Sequence, residues 1–257
     1  MHLVEGNCQV LDSQVAYAGA TDPGRVRRCN EDSLLLLPEA GVFAVADGLG
    51  GLDAGDIASI TALAHLQALC SAPPSLGDGD AKSHLEAIIA AVNSHTYQHR
   101  LVLGKNMATT LALVQLASND TALAAHVGDS RIYHWHNDEL IRITSDHSLV
   151  NELYEKGALT ASQAERSPQR HVITRAVGAE PTVLPSITAF TTAPGDILLL
   201  CTDGLTTMVP DKKIAQCLRS EQTDIGRIVE QLVHLANEAG GHDNITAIAS
   251  RLNRRCP

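Results

Sequence analysis

Short apolar or alternating runs at 14–18, 33–37, 42–46, 109–116, 121–127, 131–135, 139–143, 196–201 and 245–250 predict strands. Three longer stretches carry apolar residues three and four apart and predict helices. Residues 54–70 place Ile57, Ile60, Leu63, Leu66 and Leu69 on one side, and 81–103 place Leu85, Ile88, Ile89 and Val92. Residues 222–239 place Ile225, Ile228, Val229, Leu232, Val233 and Ala236 on one face, with Gly240-Gly241 as the stop. The breaker SAPPSLGDG separates the first two helices. Strands come in groups, and helices come in pairs or late. The pattern is therefore α+β rather than regular βαβ alternation, and it suits two facing sheets with helices packed outside. One domain over 1–257 accommodates all of it. Residues 146–180 differ: they are polar, hold a short helix with a Thr160–Gln163 capping box, and read as a long insertion of the kind that serves as a lid.

Composition narrows the chemistry. Hydrophobic residues make up 44% and aromatics only 3%, so the core must be built from Leu, Ile, Val and Ala. Acidic residues number 29 against 19 basic, a formal charge of −10, which argues against a nucleic-acid or membrane-surface partner and permits a metal site. The six cysteines form no CxxC pair and no metal-finger spacing, and Cys201 reads as a small core hydrophobe. No signal-like start and no apolar run of about 18 residues is found, so a reducing cytoplasm is the expected location.

The apolar run 42–46 ends in Asp47-Gly48, and the run ILLLC at 197–201 ends two residues later in Asp203-Gly204. An aspartate at the end of a covered strand costs desolvation energy unless something pairs with it. Three more acidic stations lie beside turns: Asp243 before an alternating strand, Asp129 in a Gly-Asp-Ser turn, and Glu31 with Asp32 in GRVRRCNEDS. Turns favour Asp for backbone reasons, so each alone is weak, but together they suggest a shared acidic site. Oxygen-only sites suit hard cations such as Mg²⁺ or Mn²⁺, whereas zinc recruits His or Cys; the twelve histidines are scattered along the chain and no HExxH occurs. Arg27, four residues before Glu31, offers a planar fork for phosphate.

The ordered stretches GRVRRCNEDS, VADGLGG, MATTLAL, HVGDSRIY, DHSLV, TRAVG, LLLCTDGL and GHDNITAI resemble the motifs of the metal-dependent serine/threonine protein phosphatases of type 2C, above all the compact bacterial members, over about residues 14 to 250. The resemblance implies a sandwich of two antiparallel sheets flanked by pairs of helices, with a flap at about 146–178. It implies two Mn²⁺ or Mg²⁺ ions bridged by Asp47, with the Gly48 carbonyl, Asp203 and Asp243 as further ligands. Glu31 would act through water, Asp32 would be an outer carboxylate, and Asp129 with Asp203 would hold a third, weaker ion. Arg27 would grip the substrate phosphate. The implied reaction is direct attack on phosphoserine or phosphothreonine by a hydroxide bridging the ions. No cysteine is followed six residues later by arginine, so the loop of cysteine-dependent phosphatases is missing. Implied partners are phosphorylated proteins and a serine/threonine kinase, with the chain itself a monomer.

Three positions depart from the pattern. Leu49 stands where some members have a histidine proposed as the leaving-group acid. Ala108 stands for a glycine and Asp56 for a glutamate. None removes an implied ligand. Three other readings compete. A helical HD-type phosphohydrolase would use His242-Asp243, but ITAIAS directly afterwards alternates like a strand. A silent phosphoprotein-binding member of the same fold would have lost a ligand, and Asp47, Asp203 and Asp243 are intact. A structural metal domain would not require Arg27.

Overall fold

Strands covered on both faces and helices laid over them give a four-layer α-β-β-α arrangement in the computed structural model, which describes residues 1–10, 13–49, 54–71, 80–117, 120–219 and 224–255. In chain order the first elements are β1 (His2–Val10), β2 (Ser13–Asp22), β3 (Asp32–Leu37), β4 (Val42–Leu49), α1 (Gly55–Ser71) and α2 (Ala81–Leu103). Then come β5 (Ala108–Thr109), β6 (Leu111–Leu116), β7 (Thr121–Val127), β8 (Arg131–His136), β9 (Glu139–Arg142), α3 (Leu149–Glu155) and α4 (Ala161–Arg166). The chain continues through β10 (Ser186–Thr191), β11 (Ile197–Cys201), α5 (Asp203–Thr206), α6 (Asp211–Leu218), α7 (Ile225–Glu238) and β12 (Ile245–Arg255). One antiparallel sheet runs β1-β2-β12-β11-β8-β9 and the other β10-β7-β6-β4-β3, with β5 added to β4.

Strand alternation distributes side chains among three apolar layers. Phe43 and Val45 of β4 face Leu198 and Leu200 of β11 across the space between the sheets. Val42, Ala44 and Ala46 point the other way, against Leu63, Leu66, Ile89 and Val92 of α1 and α2. Ile197, Leu199 and Cys201 point outward against Ile228, Val229 and Leu232 of α7. That double covering is why β4 and β11 read as continuous apolar runs. Burial pushes the Cys201 thiol up to about 12, so it behaves as the core hydrophobe its strand suggested.

The structure departs from the sequence pattern in particular places. The strand expected over 109–116 is broken at Thr110, which leaves β5 to pair with β4 and β6 to pair with β7. β1, β10 and α6 carry too little apolar signal to have been expected. Ile60 is turned outward, 58% exposed, because a strict three-residue spacing rotates by about 60° per step away from the face made by Ser59, Ala62, Leu63 and Leu66. At the end of α7, Gly241 adopts φ 52 and its carbonyl accepts the Arg25 N–H at 2.7 Å; a Cβ there would lie 3.0 Å from that nitrogen. Residues 50–51 of VADGLGG, 72–79 of the breaker and 222–223 of the third expected helix lie outside the described residues.

Candidate metal centre

The acidic residues singled out in the sequence meet at one end of the space between the sheets. Asp32 and Asp47 are direct cross-strand partners in the β3–β4 ladder, so both side chains emerge on one face. It is the face of Phe43 and Val45, which delivers Asp47 to the rim of the inter-sheet core. From the opposite sheet come Asp203, the first residue of α5 just after β11, and Asp243, two residues before β12. Asp129 lies in the turn joining β7 to β8. A hydrogen bond ties the sheets together here: Thr202 Oγ1 donates to Asp32 Oδ2 at 2.8 Å while accepting the Thr246 N–H at 3.0 Å. Replacing Thr202 with valine keeps the shape and removes both bonds. The expected loss is about 1–3 kcal/mol, read as a lower denaturant midpoint. An unchanged midpoint would show that the bond adds nothing.

Backbone contacts fix the rest. The Asp47 N–H donates to Thr110 Oγ1, and its carbonyl accepts both the Thr110 N–H and the Thr109 hydroxyl, all at 2.9 Å. The Gly48 N–H donates to the Glu31 carbonyl at 3.2 Å, and a Cβ on Gly48 would lie 2.1 Å from the Gly55 carbonyl oxygen. Only glycine fits between these two chain segments. Asn244 pins the loop that carries Arg27: its Oδ1 accepts the Glu31 N–H at 2.8 Å, and its amide donates to the carbonyls of Pro23 and Cys29 at 3.0 and 2.9 Å. Arg27 therefore stands at the mouth, half exposed, with Nη2 2.8 Å from Asp243 Oδ2.

The cluster is electrostatically unbalanced. Burial holds the Asp47 carboxyl well above the usual carboxylate range, and the charges of Asp32, Asp203, Asp129 and Asp243 add to it. Burial also pushes Asp32 up to about 7 against the opposing Thr246 and Thr202 hydroxyls, with Asp203 and Asp243 raising it further. Asp129 rises to about 7 through burial, then Asp203 and Asp146, and Asp203 rises through burial and then Asp243. Burial raises Glu31 too, with Arg27 opposing. Buried Asp32 Oδ1 has no hydrogen-bond partner among the described residues. Carboxylates from both sheets that raise one another, an orphaned carboxylate oxygen and a glycine held at close approach fit a hard divalent cation and its water shell.

Segment 146–178 is anchored beside this cluster. Arg131 grips Asp146 with two bonds, Nε to Oδ1 at 3.2 Å and Nη2 to Oδ2 at 2.9 Å, and Arg142 reaches the same carboxylate. His147 clasps Gly128, the neighbour of Asp129: its N–H donates to the Gly128 carbonyl at 3.0 Å and its Nδ1 accepts the Gly128 N–H at 3.2 Å. Burial, then His126 and Arg175, lowers His147 to about 3, which keeps the imidazole neutral for that acceptor role. The base of the segment closes through Leu149 N–H to the Val172 carbonyl at 2.8 Å, and the Thr160–Gln163 capping box starts α4 as its sequence indicated. Thr109, Thr110, Thr202, Asn244 and His147 were not identified as site-positioning residues from sequence. Their positions inside the quoted motifs were the one signal available.

The family model for protein phosphatase 2C matches residues 25–248. The serine/threonine phosphatase stp of Listeria innocua is 35% identical over 245 residues, covering 91% of this chain and 94% of its own. The serine/threonine protein phosphatase PstP of Mycobacterium tuberculosis is 36% identical over 236 residues, and the match covers 91% of this chain but 44% of that protein. The solved catalytic domain of PstP in complex with two manganese ions is 33% identical with a TM-score of 0.82, covering 93% of this chain and 99% of that one. The chain belongs to the protein phosphatase 2C family, as a metal-dependent serine/threonine protein phosphatase of the bacterial type.

Proposed function

We propose that Asp47, the Gly48 carbonyl, Asp203 and Asp243 hold two Mn²⁺ or Mg²⁺ ions, that Asp129 with Asp203 holds a third, weaker one, and that Arg27 binds the substrate phosphate. The observation that carries this reading is the convergence of buried, mutually raised carboxylates from both sheets, whose charged forms bound cations would stabilise. Bound ions would supply a water activated for direct attack on phosphorus and would neutralise phosphoryl oxygens, so no phospho-enzyme is needed. The chain's own residues do the positioning. Arg27 presents a planar fork at the mouth, where it trades its bond to Asp243 for the equatorial phosphoryl oxygens. Glu31 acts through water, and Asp32, anchored by Thr202, orients the ligand carboxylates from behind. Segment 146–178 acts as a flap within a single domain, 1–257. The chain works as a cytoplasmic monomer opposite a serine/threonine kinase, a placement that rests on family analogy. Among the described residues no helix is long and apolar enough to cross a membrane.

The test is phosphate release from a phosphothreonine peptide in Mn²⁺, in Mg²⁺ and in EDTA, for the wild type and Asp203→Asn. Turnover that needs metal and disappears in the variant supports the reading. A folded protein that binds Mn²⁺ yet turns over nothing would instead be a silent phosphoprotein-binding member.

A further inference from the structure

Two of the twelve histidines are not scattered. His134 and His136 lie two apart on β8, so their imidazoles share a face. The β8–β11 register pairs Trp135 with Ile197, which brings Asp196, the residue before β11, opposite His136. His134 Nε2 lies 2.7 Å from Asp196 Oδ2, and His136 Nδ1 lies 2.8 Å from Asp196 Oδ1. One ligand atom from each of the three residues falls within 4.8 Å of the other two.

From this geometry we propose that His134, His136 and Asp196 form a second metal site, selective for a zinc-class divalent ion and separate from the phosphatase centre. Two imidazole nitrogens and one carboxylate oxygen are the donors zinc takes, with water in the fourth position. The catalytic cluster, by contrast, offers only oxygen. The site lies roughly 15–25 Å from Asp129 along β8, at the rise of an extended strand. Its donors are already held in place. Asp196 Oδ2 accepts the Ala193 N–H at 2.7 Å, and its backbone carbonyl accepts the Leu252 N–H at 2.9 Å. The His134 ring packs 5.2 Å from Phe190 of β10. The far nitrogen of His136 lies 2.8 Å from the Asn137 side-chain amide, whose oxygen, once turned toward the ring, would accept the N–H of a ligating imidazole. His134 and Asp196 are enclosed at 6% and 5% exposure, while His136 is 35% exposed, which leaves an entry path and room for the water. An ion here would staple β8 to β11 and stiffen the end of the sandwich remote from the catalytic centre.

A hydrogen-bonded triad without metal accounts for the same contacts, and zinc counting separates the two. The full chain is dialysed against Zn²⁺ in a large excess of Mg²⁺, and zinc per chain is measured by elemental mass spectrometry. The wild type should retain one zinc more than His136→Ala and Asp196→Asn, while Mn²⁺-dependent turnover stays unchanged in His136→Ala. Cobalt loaded in place of zinc should give the intense visible absorption of a tetrahedral nitrogen–oxygen site in the wild type alone. His136→Gln serves as the variant if His136→Ala does not fold. Equal zinc in the wild type and a folded variant overturns the proposal.

Discussion

Asp47→Asn should lower turnover on a phosphothreonine peptide by about a thousandfold or more, a loss on the order of 4 kcal/mol of transition-state stabilisation. The substitution keeps the volume of the side chain and leaves untouched the three backbone bonds that Thr109 and Thr110 make to this residue. It removes the carboxylate placed between the charges of Asp32, Asp203, Asp129 and Asp243. The same variant should melt at a higher temperature than the wild type in EDTA, because one member of a repelling group has become neutral. Loss of activity with higher metal-free stability is a combination that a merely structural aspartate would not give. A variant that keeps its turnover, or that melts lower in EDTA, would remove Asp47 from the centre.

The second large effect concerns pH after metal removal. Asp32 and Asp129 have folded values of about 7, above the ordinary carboxylate value of 3.8. Between those limits the folded protein binds more protons than the unfolded chain, so stability falls as pH rises. The wild type in EDTA should therefore lose stability between about pH 4 and pH 7, by an amount on the order of a few kcal/mol. With saturating Mn²⁺ the trend should flatten or reverse, since a cation held in the cluster would favour the charged form of every carboxylate around it. Denaturant midpoints at three pH values, with and without Mn²⁺, provide the check. Parallel curves in the two conditions would show that the carboxylates and the ion do not share a site.

The architecture was legible wherever a strand is covered on both faces. β4 and β11 announce themselves as unbroken apolar runs because one side meets helices and the other the opposite sheet. β1 and β10 lie at sheet edges and expose much of their length, so His2–Val10 and Ser186–Thr191 carry no comparable signal. The break at Thr110 was hidden for another reason. Thr110 interrupts the strand to hold Asp47 and to meet Ser130 Oγ at 2.7 Å, a tertiary demand that local pattern does not encode. Aspartates at strand ends stood out because an ionisable group after an apolar run needs a partner. The threonines that hold them did not, since a hydroxyl bonding across 170 positions, as Thr202 does to Asp32, leaves no spacing to read. The pair His134 and His136 did leave one, two residues apart, but Asp196 comes 60 positions after His136.

The place of β12 in the sheet order has a consequence for synthesis. This strand follows every other element in the chain yet sits between β2 and β11, in the middle of its sheet. The other sheet is complete once Thr191 has been made, so a nascent chain can assemble β3, β4, β6, β7 and β10 against α1 and α2 early. At that moment it offers Asp32, Asp47 and Asp129 without Asp203 or Asp243. Under the proposed ligand set, Asp203 and Asp243 join the cluster only once β11 and β12 are in place, and β12 must pair across the gap with β2, a long-range contact that is slow by nature. The acidic cluster is thus one of the later features of this fold to assemble, behind the sheet that contributes Asp32 and Asp47.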